Sequence, residues 1–143
     1  MLFRSFRDGY QVQTPMRESR DVFWHFLRHL RAAKVDDVVV PLKMPSLMAA
    51  RLFDPGSVDF VFLDGDHGEK AVRDDLEAWY PLVRPGGMVG MHDYDNRDFP
   101  GVEIAVDQFL EREGLKGRPS RGVGVWFRKP VKSLAIVSQT ATP

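Results

Sequence analysis

The 143 residues have the length of one domain, and the 43% apolar content can fill a core. The 20 basic and 20 acidic residues cancel, so no overall field draws the chain to nucleic acid or to a membrane surface. The absence of cysteine excludes disulfides, thiolate metal sites and cysteine nucleophiles. No apolar segment approaches the roughly 20 residues of a membrane helix, and Met1 to Arg4 lacks the apolar core of a signal peptide. We therefore predict a cytoplasmic protein with neither a nucleic-acid nor a membrane partner.

The first part of the chain predicts two helices and one strand. Apolar residues at helical spacing predict an amphipathic helix over residues 17–33. The β-branched run Val38-Val39-Val40 is typical of a buried parallel strand, which we expect over residues 36–42. A short helix is expected over residues 47–52, before a turn that is rich in proline and glycine.

Residues 58–96 predict a strand, a helix and a second, parallel strand. The first strand is expected over residues 58–63 and the helix over residues 69–80. The turn Arg84-Pro85-Gly86-Gly87 then leads into a strand over residues 88–92. A unit of this kind places both strands in one sheet, joined by a right-handed crossover.

The rest of the chain predicts one more helix and one more strand. The helix is expected over residues 101–113, with Gly114 directly after its end, and the strand over residues 122–127. We expect a single domain over residues 1–130 and a frayed tail over residues 131–143. Alternating helices and strands in this order predict an α/β layered sheet.

Polar residues follow both central strands. Asp64-Gly65-Asp66-His67 comes after the first strand, and His92-Asp93-Tyr94-Asp95-Asn96 ends the second. Ligands bind at the carboxyl edge of open α/β sheets, and parallel neighbours lie about 4.8 Å apart. Asp64 and Asp93 are therefore expected to come close together. Two such carboxylates share a proton, bind a cation or orient a substrate.

The combination of FLDGDH, a helix carrying DDLEAWYPLVRPGG, and a strand ending in HDY resembles class I S-adenosylmethionine-dependent methyltransferases. The resemblance covers roughly residues 36–129, and the most similar branch is methyltransferase family 24. It implies a Rossmann-like layered sheet that is mostly parallel with an antiparallel last strand. The chain is N-terminally truncated relative to that family: the E-x-G-x-x-x-G loop is absent, and Gly9 and Gly56 are its first two glycines. We therefore expect the isolated monomer to bind S-adenosylmethionine weakly or not at all.

The resemblance also implies roles for particular residues in O-methyl transfer to a small molecule. A divalent cation such as Mg²⁺ would be held by Asp64, Asp93 and Asp95. His92 or His67 would take the proton of the acceptor. The S-adenosylmethionine would contact six residues, which are Asp64, Gly65, Asp66, His67, Met44 and Ser46.

Simpler roles stay open for several of these residues. Asp66 is well placed to cap the following helix, and Asp95 lies in a polar loop of ordinary composition. His25 and His29 have the spacing of a metal pair, but a solvated helix face is the stronger interpretation. The alternative function is a non-catalytic methyltransferase-fold remnant that acts as a binding or assembly module. An apolar helix and a β-branched strand without enough neighbours also predict a homodimer.

Overall fold

The computed structural model describes residues 22–120 and 124–131. Its helices and strands follow one another in the order expected of an α/β layer. They are α1 (Val22–Ala32), α2 (Ser46–Ala50), β1 (Val58–Leu63), α3 (Glu69–Trp79), β2 (Val83–His92), α4 (Pro100–Arg112), β3 (Arg118–Pro119) and β4 (Gly124–Arg128), with a 3₁₀ turn over Tyr80–Leu82.

The four strands form one mixed sheet in the order β1-β2-β4-β3. β1 and β2 are parallel and are joined by α3, whereas β4 is antiparallel to both β2 and β3. The residues 84–87 form a bulge in β2, because Val58 pairs with Val83 but Phe60 pairs with Met88. The α/β class, the parallel pair and the antiparallel last strand are thus confirmed, and the RPGG turn lies inside the bulge.

The core fills the space between one face of the sheet and the helices α3 and α4. Apolar side chains from β1, β2 and β4 meet those of both helices in one buried cluster. Leu76 and Val106 are fully buried at its centre. Burial of one such side chain contributes about 1.5–3 kcal/mol, so this face of the sheet carries most of the apolar stabilisation.

The other face of the sheet carries three aromatic rings, which we call the aromatic layer: Phe60, Phe62 and Trp126. The indole of Trp126 stacks with Phe60 and Phe62 at ring-centroid distances of 5.6 Å and 5.5 Å. It reaches across β2 at Gly90, where an added Cβ would lie 2.4 Å from the indole. None of the three rings belongs to the core cluster or packs against it.

The strand expected over residues 36–42 is not formed, and that prediction was wrong. Val38 and Val40 are 73% and 80% exposed, and the amide groups of Val38 and Val39 both donate to the Val35 carbonyl in a turn. A strand exists only where a neighbour pairs with its backbone. Because β1 is paired with β2 alone among the described strands, the sheet has one parallel pair and is mixed rather than mostly parallel.

The remaining expectations hold within a few residues. Gly114 follows α4 at φ +63°, as a helix-ending glycine does. Of the tryptophans, Trp79 is buried but Trp24 is 53% exposed. None of the helices in residues 22–120 combines the length and the apolar composition that crossing a bilayer requires. The start of the 17–33 helix and the 131–143 tail lie mostly outside the described residues, so the domain boundary stays a prediction.

Candidate active site

Asp64, His67 and Asp93 converge at the carboxyl edge of β1 and β2. Asp64 directly follows β1, Asp93 directly follows β2, and His67 lies in the turn that leads into α3. Each contributes one ligand atom, and these three atoms all lie within 4.8 Å of one another. The prediction that Asp64 and Asp93 meet at one edge is confirmed.

Asp93 is the centre of the hydrogen-bonding in this cluster. Its Oδ2 lies 2.6 Å from Nε2 of His67 and 2.8 Å from Nδ1 of His92, and its Oδ1 accepts from the Asn96 amide at 2.8 Å. Burial alone raises the pKa of this carboxyl, but the hydrogen bonds from His92, Asn96 and His67 outweigh it. The pKa of Asp93 therefore lies below its usual value, and the group is a carboxylate at neutral pH.

The backbone at Asp93 has an unusual, left-handed conformation. Asp93 has φ +55° and Asp95 has φ +61°, in the left-handed region that non-glycine residues seldom adopt. The side chain of Asp93 is buried, whereas that of Asp95 is exposed. Because such strain persists only where the surroundings hold it, the three hydrogen bonds to Asp93 explain its conformation.

His67 is held on two sides. Its Nε2 contacts Asp93, and its ring stacks on Phe99 at a centroid distance of 3.9 Å and an angle of 17°. Phe99 directly precedes α4, and an added Cβ at Gly101 would lie 2.9 Å from the His67 carbonyl oxygen. The close approach of the α3 and α4 starts thus fixes His67. Phe99 was not predicted as a site residue, although an aromatic residue directly before a Pro-Gly helix start was a usable signal.

His92 completes the group from the end of β2. Its Nδ1 lies 2.8 Å from Asp93 and 3.6 Å from Asp64 Oδ1, and its ring contacts Phe62 edge-on at 6.1 Å. Both histidines therefore face the same carboxylate oxygen of Asp93. If each donates its proton there, its second ring nitrogen keeps a lone pair and can accept a proton.

Two residues of the predicted site lie apart from this cluster. Asp95 is exposed and is not one of the three clustered ligands. Asp66 accepts a hydrogen bond from the Gly68 amide at 2.8 Å, directly before α3. It therefore shapes the turn before that helix but does not cap it, since α3 begins after Gly68 without a side-chain cap. The expectation that Asp66 caps the helix was wrong.

Three of the six residues predicted to contact S-adenosylmethionine line a cleft near the cluster. Ser46, Gly65 and Asp66 line a cavity of about 370 Å³, together with Lys70 and Asp75 of α3. Met44 does not line this cleft, but it shares with Ser46 a second cavity of about 370 Å³ beside β1. The structure thus brings three of the predicted cofactor residues together beside Asp64.

A chain of buried hydrogen bonds fixes Ser46, which lines this cleft. The Trp79 indole donates to Ser46 Oγ at 2.9 Å, and the Ser46 hydroxyl bonds Asp75. Burial raises the pKa of Asp75, and the charges of Asp74 and Asp66 raise it further, although the bond to Ser46 opposes this shift. The chain joins α2 to α3, so it sets the position of Ser46 at the cleft.

Replacing Asp75 by asparagine should raise the free energy of unfolding at pH 7 by on the order of 1 kcal/mol. Asparagine keeps an acceptor for the Ser46 hydroxyl and removes a buried charge. Because the pKa of Asp75 is raised in the folded chain, the wild type loses stability as the pH rises from the ordinary aspartate value to the raised one. The gain of Asp75→Asn over wild type should therefore shrink as the pH falls toward 3.8, the ordinary value for aspartate.

Urea unfolding at several pH values measures this difference. Asp74→Asn is the matched control, because Asp74 is partly exposed and pairs with Lys70 at 2.6 Å. An equal gain in both variants, or a gain that does not depend on pH, would contradict the role given to buried Asp75.

The cluster suits a divalent cation by the chemistry of its donors. Asp64 and Asp93 offer two carboxylates, and His67 adds an imidazole nitrogen. Carboxylates suit Mg²⁺ and Mn²⁺, whereas imidazole suits transition metals. The residues therefore fit a divalent metal through Asp64 and Asp93, and the side chain that lies beside these two carboxylates is His67 rather than Asp95.

A family model described as a methyltransferase domain matches residues 5–94. This is more than half of the chain. The chain belongs to the methyltransferase family. The match includes β1, α3, β2 and all three clustered residues, and so agrees with the family resemblance that the sequence motifs indicated. An uncharacterized protein of Acanthamoeba polyphaga mimivirus is 29% identical over 85 residues, which are 59% of this chain and 35% of that protein.

Several solved structures share the fold of this methyltransferase-family chain. A Corynebacterium glutamicum protein matches with a TM-score of 0.58 and 19% identity, over 78% of this chain and 59% of that one. The O-methyltransferase NovP matches with a TM-score of 0.54 and 22% identity, over 73% of this chain and 43% of NovP. A third match is the MycE methyltransferase of mycinamycin biosynthesis, which was solved with Mg, SAH and mycinamycin VI. Its TM-score is 0.50 and its identity 19%, over 68% of this chain and 34% of MycE. The chain thus spans about a third to three fifths of the relatives it matches.

Proposed function

We propose that this methyltransferase-family chain takes part in O-methyl transfer from S-adenosylmethionine to a small molecule, assisted by a divalent cation. The observation that carries this proposal is the convergence of Asp64, His67 and Asp93 within 4.8 Å at the carboxyl edge of β1 and β2. Two structures of similar fold, an O-methyltransferase and a methyltransferase solved with Mg and SAH, agree with it.

In this proposal Asp64 and Asp93 hold the cation. The lowered pKa of Asp93 supports this role, because a group that is already ionised need not lose a proton before it binds a cation. When bound, the cation would orient an acceptor hydroxyl and lower its pKa.

His67 and His92 are the residues proposed to accept the proton of that hydroxyl. Each faces Asp93 through one ring nitrogen, so the other nitrogen is available as a base. The stacking of His67 on Phe99 limits the motion of its ring. Of the two, His67 is therefore the better positioned base, and His92 is the more exposed one.

The cleft bordered by Ser46, Gly65 and Asp66 is the proposed position of part of S-adenosylmethionine. Its lining includes Gly65 and Asp66, the two residues that follow Asp64 in the chain, so a ligand in it would lie near the cluster. The polar lining supports a polar ligand, and Ser46 is fixed by the Trp79 and Asp75 contacts. The sequence lacks the glycine-rich turn that holds the amino-acid end of this cofactor, so weak binding by the isolated monomer stays our expectation.

Calorimetric titration of Mg²⁺ into the wild type and into Asp64→Asn tests the proposal. Loss of one of two carboxylate ligands should weaken binding by about tenfold or more. Asp59→Asn is the matched control, since Asp59 is an exposed acid on the same strand that pairs with Arg84. Unchanged Mg²⁺ affinity in Asp64→Asn would refute the metal assignment.

The second candidate function is a non-catalytic binding or assembly module. Its support is the aromatic layer on the sheet face opposite α3 and α4, because none of these three rings belongs to the core cluster or packs against it. Titration with S-adenosylmethionine, with and without Mg²⁺, separates the two functions. Binding that Asp64→Asn weakens, followed by methyl transfer to a hydroxyl compound, favours the enzyme. Cation binding without any cofactor binding favours the module.

A further inference from the structure

Four residues at the candidate active site form a closed ring of contacts, which we call the contact ring: Asp93, Asn96, Phe99 and His67. The side-chain amide of Asn96 donates to Asp93 Oδ1 at 2.8 Å, and the Asn96 backbone carbonyl accepts from the Phe99 N–H at 2.9 Å. The Phe99 ring stacks on His67, and Nε2 of His67 lies 2.6 Å from Asp93 Oδ2. Each member of the contact ring is therefore held by two others.

The side chain of Asn96 makes two hydrogen bonds in opposite roles. Its Nδ2 donates to Asp93, and its Oδ1 accepts from the backbone N–H of Asp98 at 3.1 Å. The opposite orientation of the amide would turn its oxygen toward the Asp93 carboxylate, so these partners fix which end of the amide faces which group. The bond to Asp98 closes an Asx-turn just before α4. One side chain thus joins the Asp93 carboxylate to the turn that carries Phe99.

The loop over residues 93–99 is attached to α4 near both of its ends. Tyr94 packs against the core cluster, and its hydroxyl donates to Asp107 Oδ1 of α4 at 2.9 Å. Phe99 directly precedes α4. Because both attachments are to the same helix, the position of Asp93 relative to Phe99 depends on the bonds within the loop. Asn96 takes part in three of those bonds.

The backbone next to Asn96 needs such bonds in order to keep its conformation. Asp95 has φ +61°, its side chain is exposed, and it makes no hydrogen bond to a described residue. A left-handed backbone at a non-glycine residue persists only where its surroundings hold it. The neighbours Tyr94 and Asn96 provide that support through their own contacts.

We propose that Asn96 is a positioning residue, which holds the Asp93 carboxylate and the His67 ring in a fixed relative position. In this role Asn96 touches neither a cation nor an acceptor. It acts on Asp93 through its own hydrogen bond, and on His67 through the turn that carries Phe99. The purpose of this arrangement rests on the proposed function, because a cation on Asp93 and a base at His67 must reach the same acceptor hydroxyl. The arrangement itself can be measured without a metal.

Two substitutions separate the two side-chain bonds of Asn96. Alanine removes both bonds. Serine is too short to reach Asp93, but its hydroxyl can still accept from the Asp98 N–H, as serine does in turns. We therefore expect Asn96→Ala to disturb both Asp93 and the stack of His67 on Phe99, and Asn96→Ser to disturb Asp93 while the stack stays in place.

NMR of the metal-free full chain at one fixed pH gives the first measurement. The Nδ1 resonance of His92 reports the bond of His92 to Asp93, and nuclear Overhauser contacts between the His67 and Phe99 rings report their stack. Asn96→Ala should shift the His92 resonance and lose the ring contacts, whereas Asn96→Ser should shift the resonance and keep the contacts. A residue that only stabilised the fold would lower the thermal midpoint and move neither signal in the folded chain.

Calorimetry with Mg²⁺ gives the second measurement. Both Asn96 variants should weaken Mg²⁺ binding by about tenfold, the lower end of the cost of losing a group that orients a metal ligand. Arg97→Ala is the matched control, because Arg97 is the exposed neighbour of Asn96 in the same loop, and it should change neither the NMR signals nor the Mg²⁺ affinity. A wild type that binds no Mg²⁺ would overturn the metal assignment, and the NMR signals would still decide the role of Asn96.

Two outcomes overturn the positioning role. One is a folded Asn96→Ala variant that keeps the His92 resonance and the ring contacts of the wild type. The other is a folded Asn96→Ser variant with an unchanged His92 resonance, since the bond from Asn96 would then not orient the Asp93 carboxylate. Circular dichroism shows which variants fold, and the serine variant decides alone if the alanine variant does not.

Discussion

Replacing Asp93 by asparagine should weaken Mg²⁺ binding by at least about tenfold and lower any methyl transfer by about 100-fold. The variant loses a carboxylate that three neighbours orient, since His67, His92 and Asn96 all direct hydrogen-bond donors at it. An asparagine amide would direct its own donors at two of these groups. Calorimetry with Mg²⁺ and a methyl-transfer assay measure the two effects.

The same variant should lose stability in a pH-dependent way. The pKa of Asp93 is lowered in the folded chain, so its contribution to stability is present above the ordinary aspartate pKa and is lost as the pH falls through the lowered one. We expect Asp93→Asn to cost about 1–3 kcal/mol at pH 7 and less in acid.

Asp95→Asn is the matched control for both measurements. Asp95 lies in the same loop and also has a positive φ, but it is exposed and outside the cluster. Its replacement should leave Mg²⁺ affinity within about twofold and stability within about 0.5 kcal/mol. Equal losses in the two variants would argue that the loop, and not the Asp93 carboxylate, carries the effect.

Gly101→Ala should lower the free energy of unfolding by about 1–3 kcal/mol and displace His67. A Cβ at this position would lie 2.7 Å from the Glu69 amide nitrogen and 2.9 Å from the His67 carbonyl oxygen. Both are backbone atoms, so the start of α4 must move away from the start of α3. That movement would disturb the stacking of His67 on Phe99 and its bond to Asp93.

Urea unfolding and the NMR resonances of the His67 ring measure these two effects. Gly114→Ala is the control, because nothing lies within 4 Å of an added Cβ there and only the strain of φ +63° remains. That strain costs about 1 kcal/mol. A His67 ring that shifts as little in Gly101→Ala as in Gly114→Ala would contradict the positioning role of Gly101.

The sequence allowed most of the site-bearing unit to be predicted because its signals are local. The run from Val58 to Leu63, the turn at Asp64 and the helix that follows are each determined by neighbouring residues. The meeting of Asp64 and Asp93 then followed from strand spacing alone. The sequence did not predict that His67, rather than Asp95, lies beside these two carboxylates. That placement depends on the backbone dihedral angles of the loop and on the contact with Phe99.

The wrong prediction for residues 36–42 has a different cause. The pattern of three valines reports a preference for extended backbone, but whether a strand forms depends on a partner elsewhere in space. In the described residues no strand pairs with the outer edge of β1. The exposure of Trp24 likewise could not be predicted from the sequence, since helical spacing identifies an apolar face without showing what lies against it.

The strand order β1-β2-β4-β3 has a consequence for the sequence of events in folding. Pairing of β2 with β1 closes a loop of about 25 residues, from Val58 to Val83, whereas the shortest loop closed by pairing β2 with β4 is about 32 residues, from His92 to Gly124. Shorter loops cost less entropy to close and form earlier. During synthesis we therefore expect residues 58–92 to assemble first, with the far side of the central strand β2 open until residues 124–128 leave the ribosome.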